Sequence, residues 1–305
     1  MNNPSCLNPR VRLRLALRAM VGAWKQWREP PLDRKMRHEL AVCAIFREEA
    51  PFLDEWLTFH AGIGVTHFYL YNNLSTDNFR EVLRPWQAAG FVTLIEWPAE
   101  PCQIPAYQDC VRRFKHHARW IAFFDIDEFL FSPQSRSLLP VLETFAHRPG
   151  IEVWQIIFGS NGHVKRPASV IASYTLSAPA KPTTVKTIAN PRLVYKVHIH
   201  QFKYWRGQGL DTSGQVVNQS TTPVYEPLRM NHYWSRSLED LNIKIRRGRC
   251  ANLEKRDPEK HLAHERGLNC EPDFTILPIA RAIRKPAAVE KAARETSATP
   301  AVPAA

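Results

Sequence analysis

A chain of 305 residues, 44% of them apolar, has material for one large α/β domain or two small ones, each with a substantial core. A net charge of +12 points to phosphate groups, nucleic acid or an anionic membrane, and the lack of an aromatic-interleaved RNA-binding signature sets nucleic acid aside. Six scattered cysteines without a C-x-x-C pair argue against a zinc site or a disulfide scaffold, and predict reduced thiols in a cytoplasmic setting. No stretch approaches the roughly 20 uncharged apolar residues that span a bilayer, and the N-terminal charges do not form a secretory signal.

Residues 10–28 begin the chain's periodic part. Leu13, Leu17, Met20, Trp24 and Trp27 recur at helical spacing, with Arg10, Arg14, Arg18, Lys25 and Arg28 mostly off that stripe. Such a basic amphipathic helix fits an anionic membrane surface, and equally fits docking on its own domain or on a partner. Glu29-Pro30-Pro31 ends it, so residues 1–37 read as helix and linker, 38–270 as the globular domain and 271–305 as an Ala/Pro-rich tail.

The domain opens with a strand over Glu39–Phe46, then Arg47-Glu48-Glu49 and a helix over Phe52–Ala61. A strand over Val65–Tyr71 runs into Asn72-Asn73-Leu74-Ser75-Thr76-Asp77, whose side chains suit either a helix cap or a ribose. A helix over Phe79–Ala89, a strand over Phe91–Trp97, a helix over Ala106–His117 and a strand over Arg119–Phe124 complete the alternation. That order predicts a parallel sheet with right-handed crossovers. Without a G-x-G-x-x-G loop, phosphates must be held in another way. Beyond lie a helix over Ser137–Ala146, a strand over Glu152–Phe158 and a flexible Gly159–His163 turn able to approach a ligand. Val197–His200 reads as a strand with two histidines on one side, and Ser237-Leu238-Glu239-Asp240 as a helix cap.

The centre of the chain is Trp120–Phe131, where an apolar run ends in Asp125-Ile126-Asp127-Glu128. Period-2 alternation puts Asp125 and Asp127 on one side of an extended chain. Carboxylates at the carboxyl end of a parallel strand sit where open α/β sheets bind ligands, and two hard oxygen donors suit Mg²⁺ or Mn²⁺ shared with a phosphate. The same acids would also serve the first turn of a helix.

These segments resemble the bacterial family-2-like glycosyltransferases related to glycosyltransferase family 92. The resemblance rests on Arg47-Glu48-Glu49, Glu55-Trp56, His60, Tyr71-Asn72-Asn73-x-Ser75-x-Asp77 and the Trp120–Phe129 run. Later elements are similar too: Trp154 with Phe158-Gly159-x-x-Gly162-His163, and Asn231-His232-Tyr233-x-x-Arg236-Ser237-x-Glu239. It covers about residues 40–250. It implies a GT-A type Rossmann-like mixed sheet flanked by helices, a nucleotide-sugar donor (a UDP-sugar), a glycan or lipid-linked acceptor, Mn²⁺ or Mg²⁺, and inversion. Asp125 and Asp127 fall on the pair that meets ribose and metal, and Arg47, Glu49 and Asp77 on the nucleotide loops beside Asn72 and Asn73. Arg47-Glu48-Glu49 stands where relatives often carry Lys-Asn-Glu, and Asn72 where they often carry Asp. One late histidine is expected to join the metal, with His198, His200 and His232 as candidates.

An inverting transfer needs a carboxylate base near the acceptor hydroxyl, for which Glu226, Asp211 and Glu128 are the candidates. Lys186, Arg192 and the Arg246–Arg249 cluster are available to phosphate, although a helix carrying such a cluster reads first as solvated. Trp154, Tyr204, Trp205 and Trp234 read as core, with sugar stacking as the alternative. Competing functions are a metal-dependent nucleotidyl or phosphoryl transferase and a non-catalytic membrane-docking protein.

Overall fold

The computed structural model describes residues 36–100, 102–179, 184–248 and 255–298, and five positions within 13–21. Four parallel strands form its first half: β1 (His38–Phe46), β2 (His67–Asn72), β3 (Val92–Glu96) and β4 (Ala118–Phe123), in the order β4-β1-β2-β3. Helices α1 (Ala50–Gly62), α2 (Phe79–Ala88) and α3 (Gln103–Phe114) make the crossovers. β1 is apolar almost throughout because both of its faces are covered. Leu40, Val42, Ala44 and Phe46 point into a core shared with Trp56 of α1 and Trp86 of α2. Ala41, Cys43 and Ile45 point the other way, onto Tyr107 and Cys110 of α3.

The second half turns the sheet from parallel to mixed. After the Asp125–Asp127 turn comes β5 (Glu128–Phe131), not a helix, then α4 (Leu138–Glu143) and the long β6 (Gly150–Phe158). Helix α5 (Val170–Ser173) and β7 (Leu176–Ser177) follow, and β8 (Val185–Ala189) inserts antiparallel between β4 and β6. The short β9 (Val194–Lys196) and β10 (Lys203–Tyr204) pair with each other. The first half of β6 pairs with β11 (Leu210–Asp211), whereas its second half pairs with β12 (Arg229–Tyr233), which also lies antiparallel to β5. Helices α6 (Leu238–Arg247) and α7 (Pro258–Arg266), then β13 (Glu271–Pro272), complete the domain. The expected α/β class with a mixed sheet is met.

Two sequence readings are corrected here. Residues 271–298 are not a loose tail: α8 (Leu277–Ala282) and α9 (Ala287–Ala298) pack on the domain through buried Ile276, Ile279 and Val289. Lys285 pairs with Asp54 at 2.6 Å, and Gly62 leaves room for Ile283, whose Cγ2 lies 2.5 Å from where a Cβ would stand. The Gly159–His163 turn is clamped rather than free for a ligand. Glu265 accepts from Ser160 Oγ at 2.6 Å, Asn269 accepts from Asn161 N at 2.7 Å, and Asn269 fills the space a Cβ on Gly159 would need.

Of the expected helix over 10–28, Leu13, Ala16, Leu17, Met20 and Val21 are described. They are helical, with Leu13 and Met20 63% and 69% exposed; the rest of that helix lies outside the described residues. Among the described residues no helix is long and apolar enough to cross a membrane. The expectation of reduced thiols fails at Cys102, which is disulfide-bonded, whereas Cys43, Cys110 and Cys270 are free.

Candidate active site

Three loops leave the carboxyl ends of β1, β2 and β4 side by side, because the parallel register sets Phe46 against Asn72 and Phe123 against Cys43. The first two loops are laced together: Glu48 N donates to Ser75 Oγ at 3.0 Å, Thr76 N to Glu48 Oε1 at 2.7 Å and Ala50 N to Asp77 Oδ2 at 2.8 Å. Asn72 Nδ2 donates to Glu96 at 2.7 Å, and Asn72 Oδ1 accepts from Ser75 N at 3.0 Å. Asn72 and Asp77 therefore shape the loops, and neither lines the cleft above them. Arg47, Glu49, Asn73, Asp125 and Asp127 do line that cleft, whose volume is about 620 Å³.

Every acid at the cleft floor has a cationic partner from the second half of the chain. Lys186 on β8 lies 2.6 Å from Asp125 Oδ2 and 3.2 Å from Glu128 Oε2. Gln103, at the start of α3, donates to the other Asp125 oxygen at 2.8 Å. Lys244 on α6 donates to Asp127 Oδ2 at 2.7 Å and to Trp234 O at 2.9 Å. Arg236 and Arg247 hold Glu49 at 2.6 and 3.0 Å. Burial by itself would raise the Asp127 carboxyl, but Lys244 and then His232 hold it well below its usual range. Glu128 goes the other way: burial raises it, against the pull of Lys186.

Helix α1 sets the height of this floor. Trp56 Nε1 donates to Glu128 O at 2.8 Å. His60 Nδ1 bonds Trp56 O at 2.8 Å, and His60 Nε2 accepts from Leu130 N at 3.2 Å. Burial lowers the His60 pKa to about 3, so the ring stays neutral and keeps one donor and one acceptor. Glu55 carries the same scaffolding outward by accepting from Ser169 Oγ at 2.6 Å and Val170 N at 2.7 Å. Trp56, His60 and Glu55 thus support the acids without entering the cleft.

The three late histidines separate. His232, on β12, has Nε2 3.5 Å from Asp127 Oδ2 and Nδ1 3.7 Å from Glu128 Oε1. His200 lines the same cleft, but its Nδ1 lies 3.2 Å from Val185 O. His198 is exposed. Residues 197–200 are a loop after β9, so the expected strand with paired histidines does not form. Ligand atoms of Asp127, Glu128 and His232 lie within 4.8 Å of one another, a set of hard oxygens and an imidazole that suits a divalent cation.

Two of the three candidate bases stand elsewhere. Asp211 is held at the opposite end of β6 from His232, where it accepts from Ser213 Oγ at 2.7 Å, Gln215 N at 2.9 Å and Trp154 Nε1 at 3.2 Å. Glu226 is exposed and bonds Gln134 Nε2 at 2.6 Å. Only Glu128 adjoins the acid pair, sealed beneath it and bonded to Gln155 and Asp125 N. The basic face of α6 is not simply solvated either: Lys244, Arg246 and Arg247 line the cleft. Helical spacing carries part of that signal, since Lys244 and Arg247 lie three residues apart on one face of α6. Gln103 and Arg236 went unassigned, for no spacing in the sequence pairs them with Asp125 and Glu49. Trp154 and Tyr204 are core residues, and Trp234 lines the cleft.

Residues 38–256 match glycosyltransferase family 92. A family 92 protein of Oryza sativa subsp. japonica is 33% identical over 207 residues, covering 63% of this chain and 35% of that one. One of Arabidopsis thaliana is 29% identical over 217 residues, covering 65% and 38%. The galactan beta-1,4-galactosyltransferase GALS1 of Arabidopsis thaliana is 31% identical over 105 residues, covering 31% and 21%. The chain thus spans little more than a third of the length of the first two relatives.

Proposed function

The chain belongs to glycosyltransferase family 92, and within that family we propose that it moves a sugar from a UDP-sugar to a glycan or lipid-linked acceptor, with inversion, in cell-surface polysaccharide synthesis. The observation that carries this reading is the cleft at the carboxyl ends of β1, β2 and β4. There two acids, His232 and a row of Lys and Arg side chains face one another. Such a cleft offers acids for a divalent cation and bases for a diphosphate within one ligand's length.

Asp127 and His232, with Glu128 beside them, would hold Mn²⁺ or Mg²⁺. When bound, such a cation supplies positive charge to the leaving diphosphate as a Lewis acid. The rest is the work of the chain itself. Lys186 and Gln103 fix the Asp125 carboxylate in one orientation. Arg247, ion-paired with Glu49, ties α6 to the first loop, so the basic wall and the acid floor keep a set spacing. Arg47, Asn73, Lys244 and Arg246 line the same cleft and are the groups available to a nucleoside and its phosphates. Glu128 orients Lys186, and the acceptor's base is not assigned to Asp211 or Glu226, which stand away from the cleft.

We also place residues 10–28 on an anionic membrane surface near the acceptor. Support comes from the basic sequence and from the exposure of Leu13, Leu17 and Met20. The test of activity is a product assay. Full-length protein is incubated with Mn²⁺, UDP-galactose (suggested by the galactosyltransferase relative) or other UDP-sugars, and glycan acceptors. Acceptor-dependent UDP release supports the proposal, and pyrophosphate release points to nucleotidyl transfer instead.

A further inference from the structure

Glu152 of β6 is a carboxyl that the reading above does not use, and it is sealed, only 1% exposed. Gly209 makes room for it, since Glu152 Oε1 fills the space a Cβ there would need. The carboxyl accepts a hydrogen bond from Phe202 N, and its Oε2 lies 2.7 Å from Thr187 Oγ1. Thr187 Oγ1 is also 2.7 Å from His200 O. A hydroxyl has one proton to donate, and a backbone carbonyl only accepts. Both contacts can be hydrogen bonds only if Glu152 donates to Thr187 and Thr187 to His200 O, which requires a protonated carboxyl. The surroundings agree: burial pushes Glu152 up to about 8, against the opposing pull of Thr187 and Phe202 N.

The neighbouring titratable and charged groups are engaged elsewhere. Lys186, next to Thr187 on β8, points to the other face of that strand and onto Asp125 at 2.6 Å. Tyr204 of β10 is kept un-ionised by burial and by Glu152 itself. Asp211 of β11 accepts from Ser213, Gln215 and Trp154, and Arg148, ahead of β6, donates to Asp211 O at 2.7 Å. Tyr107 of α3 stands behind Phe202, with ring centres 6.3 Å apart, and burial keeps it un-ionised too. The loop that Glu152 pins reaches the cleft, where Ile199 and His200 form part of the wall. Burial and then Lys186 lower the His200 pKa to about 4, so its ring is neutral, and Nδ1 donates to Val185 O at 3.2 Å. Nε2 therefore carries a lone pair. Among the described residues that nitrogen is neither hydrogen-bonded nor sealed from the cleft.

We infer that Glu152 and Thr187 are positioning residues of the cleft: Glu152, as the neutral acid, donates to Thr187, Thr187 donates to His200 O, and His200 Nε2 is thereby held to accept a hydrogen bond from a hydroxyl group of the bound nucleotide-sugar. The inference rests on the nucleotide-sugar reading above and adds one residue that reads the ligand and two that hold it in place. An imidazole lone pair suits a hydroxyl and not an ionised phosphate oxygen, which has no proton to give. When Glu152 ionises, its carboxylate draws the Thr187 proton into its own hydrogen bond, and His200 O loses its donor. The relay is thus intact below about pH 8 and is lost as pH rises past that value.

The experiment is calorimetric titration of full-length protein in Mg²⁺ with UDP and UDP-galactose, from pH 7 to pH 9.5. Wild type is compared with Glu152→Gln, which keeps a donor for Thr187 and cannot ionise, and with Thr187→Val, which breaks the relay. Wild-type affinity should fall about fivefold across that range, as expected for one lost hydrogen bond. Glu152→Gln should match wild type at pH 7 within about twofold and stay level, whereas Thr187→Val should be about fivefold weaker at pH 7 and stay level. A fall shared by both ligands places the hydroxyl on the ribose, and one confined to UDP-galactose places it on the sugar; either supports the inference. An equal fall in wild type and Glu152→Gln overturns it, and so does a Glu152→Gln protein about fivefold weaker than wild type at pH 7. If Thr187→Val does not fold, the comparison of wild type with Glu152→Gln decides alone. Infrared difference spectra of the ligand-free proteins give a second readout: wild type should lose a protonated-carboxyl band between pH 7 and pH 9.5 that Glu152→Gln lacks, and no such band overturns the inference. Failure of the donor reading looks different, because wild type then shows that band but binds neither UDP nor UDP-galactose at any pH.

Discussion

The two halves of this domain contribute to the cleft in different ways. The first half, β1 to β4 with α1 to α3, supplies the acids through ordinary strand-and-loop logic, in which parallel strands end together and their loops become neighbours. The second half supplies what neutralises them: Lys186 from an inserted antiparallel strand, His232 from β12, and Lys244 and Arg247 from α6. The scaffold of a site can thus be local while its electrostatics are long-range, and a change in either half should be felt differently.

The largest effect is expected where the halves meet in the interior. Lys186→Met leaves Asp125 and Glu128 without their shared ammonium. Removing one partner of a buried ion pair costs about 3–5 kcal/mol. Urea unfolding should show that loss, and Lys186→Met combined with Glu128→Gln should recover part of it. A loss below about 1 kcal/mol would mean that the two halves are not coupled through this cation.

His60 sharpens the contrast from the first half. Burial takes its pKa from the ordinary 6.5 to about 3, so its contribution is complete above pH 6.5 and is lost as pH falls toward 3. Between pH 7 and pH 4.5 the wild type should lose about 2.5 kcal/mol more than His60→Phe does, measured by urea midpoints. Equal acid sensitivity in both proteins would remove His60 from the account.

The elements of the first half were legible. The expected strand Glu39–Phe46 is observed as His38–Phe46, and the expected helix Phe79–Ala89 as Phe79–Ala88. Both follow from local pattern: a doubly covered strand is apolar at every position, and an amphipathic helix repeats every third or fourth residue. The Ser237 cap was legible for the same reason, and its Oγ accepts from Asp240 N as that pattern requires. The acid pair itself stood out because polar residues interrupt an apolar run. Its partners did not, since Lys186 is 61 residues from Asp125 and Lys244 is 117 from Asp127. Asp211 and Glu226 drew attention by their place in the chain, yet turn geometry and surface contacts engage them. The last segment was misread because its Ala and Pro content hides a few well-placed apolar residues, Ile276, Ile279 and Val289.

That segment gives a smaller test. Gly62→Val drives a side chain into Ile283 and should cost about 1–3 kcal/mol, read as a lower thermal midpoint. If α8 and α9 contribute nothing to the domain, the variant unfolds like the wild type. The smallest effect concerns Lys244, whose ammonium sits on the Asp127 oxygen that a cation would use. Lys244→Met should tighten Mn²⁺ binding severalfold in the absence of nucleotide, with little change in midpoint, because a competing positive charge is gone. Weaker Mn²⁺ binding in that variant would make Lys244 a supporter of the cation site rather than its competitor.

The most direct test of the central claim, that Asp127 and its neighbours form a cation-dependent nucleotide-sugar cleft, is titration of UDP into wild type and Asp127→Asn with and without Mn²⁺. Mn²⁺ should strengthen UDP binding at least about tenfold in the wild type and not in the variant, whose fold is checked by its unfolding midpoint. Equal UDP affinity in both proteins, with or without Mn²⁺, would contradict it.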